Sequence, residues 1–151
     1  MAELTQPATI LSITDLTPHV RQLVVFPKIQ RVLFQPGQWV SLQLPIGAKP
    51  PLNRAYSMAE PPSPARQLTL VFDRVPDGIG SSYLYGLKTG DELLLSGPYG
   101  NFALPLPLDR SLLFISRYTG LVPIHCILKQ LAASGALPQS ILIAVGPAED
   151  E

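Results

Sequence analysis

Residues 54–57 read Arg54-Ala55-Tyr56-Ser57, and Gly78-Ile79-Gly80-Ser81-Ser82 follows one strand-length later. The first stretch sets a guanidinium, a phenol and a hydroxyl on one short segment. A guanidinium suits phosphate because its planar fork donates two parallel charge-assisted hydrogen bonds. The second stretch places glycines ahead of a short helical run over 81–87, where the backbone can approach an anion and the helix N-terminus adds its positive end. Singly, each has a plainer meaning: Arg54 a solvated charge on a strand, Tyr56 an amphipathic strand residue, the glycines an ordinary turn. Together they make a candidate phosphate-binding site.

Working outward, residues 8–15, 19–26 and 39–44 are rich in Val, Ile, Leu, Thr and Phe and read as strands. In the third, Val40, Leu42 and Leu44 alternate with Trp39, Ser41 and Gln43, the period of two that separates a buried from an exposed face. A loop over 46–53 with Pro50-Pro51 delivers the chain into the Arg54 strand, and three prolines between 60 and 65 form a surface turn. Residues 67–73 alternate again, with Leu68, Leu70 and Phe72 inward, and Lys88-Thr89-Gly90-Asp91 reverses into a strand over 92–96. Six short strands separated by turn signals predict a mainly β fold, a six-stranded antiparallel Greek-key barrel.

Beyond Leu104-Pro105-Leu106-Pro107, an extended linker, the periodicity changes. Residues 112–116 form a strand-like run. Ile124, Ile127, Leu128 and Leu131 then recur at helical spacing, with Pro123 early and Gly135 just past the end, and 141–145 is another apolar strand. This is one βαβ unit, a partial α/β nucleotide-binding unit. The expected division is a barrel domain over 1–107 and an incomplete α/β domain over 108–151.

Composition narrows the function classes. The chain has 151 residues, is 46% hydrophobic and carries 11 basic against 11 acidic side chains, so it is a folded globular protein with zero formal net charge. Net neutrality removes the electrostatic case for nucleic acid or an anionic membrane and does little to oppose self-association. The single cysteine, Cys126, excludes an internal disulfide and a four-cysteine iron–sulfur cluster within the chain. No apolar run approaches membrane-span length, and Met1-Ala2-Glu3-Leu4 shows neither basic nor hydrophobic signal character, so a cytoplasmic location is the expectation. His19, His125, Asp91 and Glu92 have no partners at catalytic or metal-ligand spacing and read as structural or turn residues; no metal site is expected.

Further segments fall in order around the opening pair: Phe34-Gln35-Pro36-Gly37-Gln38-Trp39-Val40 upstream, and Gly90-Asp91 and Ser96-Gly97-Pro98-Tyr99-Gly100-Asn101-Phe102 downstream. This order resembles the flavin-binding domain of the ferredoxin–NADP reductase superfamily, especially the bacterial reductases that feed electrons to oxygenases. The resemblance runs from about Phe34 to about Val145 and is stronger before residue 105. It implies a flavin-dependent oxidoreductase that passes electrons between NAD(P)H and an acceptor protein. Arg54, with Ala55 beside it, would hold the flavin phosphate; Tyr56 would pack on the isoalloxazine or bond the ribityl; and Ser57, the implied catalytic residue, would sit near the redox nitrogen N5. Gly78, Gly80, Ser81 and Ser82 would bind a pyrophosphate, which favours FAD over FMN without excluding FMN. Thr119 and Gly120 would be what remains of the nicotinamide-nucleotide site.

The family turn after the first α/β strand reads Gly-Gly-Thr-Gly, whereas this chain has Arg117-Tyr118-Thr119-Gly120. Two bulky residues stand where a dinucleotide's phosphates approach the backbone closely, which puts NAD(P)H as co-substrate in question. The family's later strands are missing from this stretch, and an isolated parallel pair leaves an open edge, so the expectation is either a truncated version of a longer enzyme or a chain that pairs as a homo-oligomer or with a partner subunit. The alternative function is a non-catalytic or degenerate flavin-binding module, or an electron-transfer subunit dependent on a partner chain.

Overall fold

The computed structural model describes residues 4–47, 49–104, 108 and 110–146. Strands β1 (Gln6–Thr17), β2 (Val20–Pro27), β3 (Trp39–Leu44), β4 (Leu52–Ser57) and β5 (Leu68–Asp73) precede helix α1 (Ile79–Gly86) and strand β6 (Glu92–Tyr99). The six strands form one antiparallel sheet in the order β4-β3-β6-β1-β2-β5. Its two ends meet through a single bridge, Met58 just past β4 pairing with Leu70 of β5, which curls the sheet into the expected Greek-key barrel. Alternation determines what fills it: Val40, Leu42 and Leu44 are fully buried, while Trp39, Ser41 and Gln43 between them are half-buried on the outside. Leu23, Val25, Leu70, Leu95 and Ile10 complete the interior, each large aliphatic side chain contributing roughly 1.5–3 kcal/mol by leaving water.

Two elements differ from the sequence-based expectation. Strand β6 continues three residues past 96, because a bulge in its ladder with β3 passes Gly97-Pro98 and lets Tyr99 pair with Trp39. Proline is tolerated at such a bulge because no ladder donor is needed there. Helix α1 begins at Ile79, so the glycine stretch is not ahead of the helix but forms its first turn.

The remaining elements are β7 (Leu112–Arg117), a 3-10 turn (Tyr118–Gly120), α2 (Leu121–Ala133) and β8 (Ile141–Gly146), with β7 and β8 pairing in parallel from Leu112↔Ile141 to Arg117↔Gly146. This is the expected βαβ unit, and its helix closes with the paired bonds Gly135 N–H to Ala132 O and Ala136 N–H to Leu131 O. Of the expected linker, residues 105–107 lie outside the described residues. Phe114, Ile124, Ile127 and Leu131 form a second small core, yet Cys126 on the same helix is buried in the barrel's cluster. Helix α2 is therefore docked on the barrel. The docking point explains Pro36-Gly37-Gln38: a Cβ on Gly37 would stand 1.7 Å from the Phe102 carbonyl oxygen and 3.2 Å from Ile127 Cδ1, at a φ of +99°. Only glycine fits there. Among the described residues, no helix is long and apolar enough to cross a membrane.

Candidate functional site

The site begins where the barrel wall opens. Register places Tyr56 opposite Val40, Arg54 opposite Leu42 and Leu52 opposite Leu44, so all three share the face of β3 that lines the core. On the other side of β4, the one bridge to β5 among the described residues is that from Met58. Arg54 and Tyr56 therefore emerge through a gap between strands instead of being sealed inside: Arg54 is exposed and Tyr56 half-buried. The Tyr56 ring packs on Phe72 with centroids 5.4 Å apart, and Phe72 meets Tyr85 of α1 edge-on at 5.8 Å. Burial pushes the Tyr56 hydroxyl up to about 12; Arg54 opposes this and the Asp73 carboxylate adds to it. The phenol is thus neutral and a hydrogen-bond donor at physiological pH.

The first turn of α1 closes one end of the gap. A Cβ on Gly80 would meet Arg54 Cγ and Nε at 3.4 Å and Leu44 Cδ1 at 3.6 Å, so the guanidinium stem lies directly across the glycine. The first intrahelical bond is Ser82 N–H to Gly78 O at 2.9 Å. The N–H groups of Ile79, Gly80 and Ser81 precede it and have no carbonyl partner within the helix. A guanidinium, three helix-terminal N–H groups and a bare Cα converge on one place. That donor set fits the phosphate groups of a flavin nucleotide and its acceptor-only oxygens.

The expected site residues are not all presented alike. Gly78 serves as the N-cap and spends its own N–H on Val75 O. Ser81 is buried, with its Oγ accepting from Val75 N–H at 3.2 Å and lying 3.1 Å from Gly78 O, so its hydroxyl ties the turn. Ser82 has used its N–H but keeps an exposed side chain. Ala55 and Ser57 alternate to the opposite face of β4, across from Ser41 and Trp39, so the Ser57 hydroxyl does not share the face of Tyr56.

Thr119 and Gly120 lie in the turn after β7, which is tied to the end of β5. Thr119 Oγ1 donates to Asp73 Oδ1 at 3.1 Å, and Asp73 follows Phe72 on β5. Tyr118 takes a φ of +45°, the left-handed conformation that glycine adopts without strain. The tyrosine thus occupies a glycine-type backbone position. Around it, the two units join through His125 Nδ1, 2.9 Å from Ala59 O, and through a Lys129–Glu60 ion pair at 2.6 Å. Asp73, Glu60 and Lys129 escaped the sequence analysis, and His125 reads there only as structural, because no local motif marks their contacts; their partners are 46 to 69 residues away. A cavity of about 420 Å³ lies in this junction, lined by Val20, Gln22, Val71, Tyr118, Thr119 and His125. Cys126 nearby has its thiol pushed up to about 12 by burial and is inert in this state. Among the described residues, no group of three His, Cys, Asp or Glu side chains could hold a metal ion.

Comparison with known proteins matches residues 7–104 to the family described as the oxidoreductase FAD-binding domain. Ferredoxin–NADP reductase B of Sorangium cellulosum (strain So ce56) is 34% identical over 131 residues, covering 85% of this chain and 53% of that protein. Reductase component 1 of terephthalate 1,2-dioxygenase from a Comamonas species is 35% identical over 126 residues, covering 83% of this chain and 36% of that one. A crystal structure of an Amycolatopsis cytochrome P450 reductase superposes with a TM-score of 0.79 at 26% identity, over 99% of this chain and 46% of that one. The ferredoxin reductase of carbazole 1,9a-dioxygenase shares the fold, with a TM-score of 0.81 at 24% identity over 97% of this chain and 44% of its own. The chain spans about half the length of the first of these relatives and about a third of the second. A family match over most of the chain, on a barrel whose open wall presents Arg54 and Tyr56, establishes that the chain belongs to the FAD-binding oxidoreductase family of the ferredoxin–NADP reductase type.

Proposed function

We propose that this chain is the FAD-holding part of a reductase that takes electrons from NADH or NADPH and passes them to a redox partner protein. The observation that carries this is the Arg54 stem lying across Gly80 at the open N-terminus of α1. Arg54 and the N–H groups of Ile79, Gly80 and Ser81 hold the phosphates, Tyr56 offers a neutral phenol and an apolar ring face, and Ser57 closes the strand beside them. Thr119 and Gly120 present the turn that faces a nicotinamide nucleotide. FAD, when bound, supplies the conversion between the two-electron chemistry of a nicotinamide and the one-electron chemistry of a protein acceptor. By analogy with the Comamonas relative, whose name makes it a dioxygenase component, the acceptor is an oxygenase component or a ferredoxin.

The barrel, 1–107, is the flavin-binding domain, and 108–151 belongs to the nucleotide-binding half. The side chains of Ile115 and Leu142 on the parallel pair are 76% and 64% exposed, which favours further polypeptide completing that half. The test is anaerobic mixing of the FAD-loaded chain with NADH and with NADPH. Slow bleaching of the flavin band is expected, faster in Tyr118→Gly. Bleaching by neither nucleotide in either variant would leave only a flavin-binding module.

A further inference from the structure

We propose that His125 is a positioning residue for the flavin site: from α2 it fixes the vertex of the gap between β4 and β5 through which Arg54 and Tyr56 emerge. The inference rests on the flavin assignment above and deepens it, giving a role to a histidine that no local motif marks.

The gap has a closed end and an open one. The closed end is the Met58–Leu70 bridge, followed at once by the bond from Ala59 N–H to Thr69 O at 2.7 Å. From there towards Arg54 the two strands are no longer paired, and the rings of Tyr56 and Phe72 meet across the space with centroids 5.4 Å apart. The spacing of such a gap is set by whatever holds its vertex. Ala59 is held on both sides: its N–H by Thr69 of β5, and its carbonyl by His125, whose Nδ1 lies 2.9 Å away. A carbonyl only accepts, so Nδ1 carries the proton and donates. Ala59 is 5% exposed and borders the cavity of about 420 Å³ between the barrel and α2. Without its donor the carbonyl is left to seek water there, and the segment after β4 loses its hold on α2.

The same stretch of chain also holds the other border. Thr119, six residues before His125, donates to Asp73 at the far end of β5. Cys126, next to His125, is fully buried in the barrel's own core and anchors the helix between these two ties. The stretch from Thr119 to His125 therefore acts as a strut, reaching the vertex at Ala59 and the β5 border at Asp73. A site that must present Tyr56 and Arg54 at a fixed spacing binds well only while that spacing is kept, and its apparent affinity falls with the fraction of molecules that keep it. Lys129, one turn further along α2, pairs with Glu60, but those side chains are 49% and 39% exposed, and exposed pairs hold little. The vertex thus depends on His125.

The test separates the donor from the ring. FAD is titrated into the full chain as wild type, His125→Phe, His125→Asn and Lys129→Met, and the visible circular dichroism of the bound flavin is recorded. His125→Phe keeps a ring and loses the donor; His125→Asn loses the ring and keeps an N–H donor at the same bond distance from Cβ. FAD affinity is expected to fall about two- to ten-fold in His125→Phe, the equivalent of one hydrogen bond, with a changed flavin dichroism. His125→Asn is expected to restore both, and Lys129→Met to match the wild type. His125 is exposed, so these substitutions leave both cores intact. If His125→Phe nevertheless fails to fold, His125→Asn decides alone, since ten-fold weaker FAD binding by that folded variant contradicts the role of the donor. Normal binding by His125→Phe with weak binding by His125→Asn would make the histidine a packing residue. Wild-type affinity and dichroism in both variants would overturn the positioning role while leaving the flavin assignment standing. A wild-type chain that binds no FAD would overturn both.

Discussion

Thr119 Oγ1 donates to Asp73 Oδ1 across 3.1 Å, and this bond ties the turn after β7 to the end of β5. Asp73 also follows Phe72, the residue on which Tyr56 packs. One side chain thus ties the turn after β7 to the strand that carries Phe72. A bond of this kind is worth about 0.5–1.5 kcal/mol net. A double-mutant cycle of Asp73→Asn and Thr119→Val in thermal unfolding is expected to give a coupling of that size. Strict additivity would mean the contact holds nothing.

Tyr56 sets an alkaline limit on stability. Its hydroxyl titrates near 10 in an unfolded chain and at about 12 in the folded one, so the folded state holds the proton more tightly. Stability from this source is complete below pH 10 and is lost as pH rises from 10 towards 12. Tyr85 is also raised by burial and contributes in the same direction. Thermal unfolding across this range is expected to show a shallower alkaline decline in Tyr56→Phe than in the wild type. Identical declines would show that Tyr56 is not the protected group.

Tyr118 carries a left-handed backbone that costs a non-glycine residue roughly 1–2 kcal/mol. Replacing it with glycine relieves that strain but adds unfolded-state freedom worth about 0.4–1 kcal/mol, so Tyr118→Gly is expected to leave Tm nearly unchanged. Tyr118→Ala keeps the strain, loses the ring's contacts and is expected to be less stable than either. If nicotinamide nucleotides then bind Tyr118→Gly more tightly than the wild type, by ten-fold or so in a fluorescence titration, the ring is what crowds the turn. Equal affinities would absolve it.

The parallel pair invites association. Leu113, Ile115, Leu142 and Val145 are 60%, 76%, 64% and 49% exposed on a two-stranded sheet, and the formal net charge is zero. Light scattering is expected to show concentration-dependent association, reduced in Ile115→Lys and Leu142→Glu. A wild-type chain that stays monomeric at high concentration would refute this.

Much of the barrel was legible because period-two alternation is a local signal: Val40, Leu42 and Leu44 declare their burial within six residues. Arg54 and Tyr56 were legible as chemistry, but not the reason they reach solvent, which is the missing ladder between β4 and β5 beyond Met58. The start of α1 was misplaced because Gly78, Ile79 and Gly80 have little helix propensity, and packing of Gly80 against Arg54 and Leu44 outweighs that deficit. The extension of β6 depends on a bulge, which register and not composition decides. Nothing local marks the contacts of Asp73, His125 and Lys129, since each joins residues far apart in the chain.

The flavin site itself is tested most directly by titrating FAD into the purified chain and following the flavin's fluorescence, with Arg54→Ala alongside. Saturable one-to-one binding is expected for the wild type. In Arg54→Ala, the loss of a charge-assisted contact at the helix N-terminus is expected to weaken it by about 2 kcal/mol, some thirty-fold. A wild-type chain that binds no FAD, or one that binds it equally well without Arg54, would contradict a phosphate site built from Arg54 and the first turn of α1.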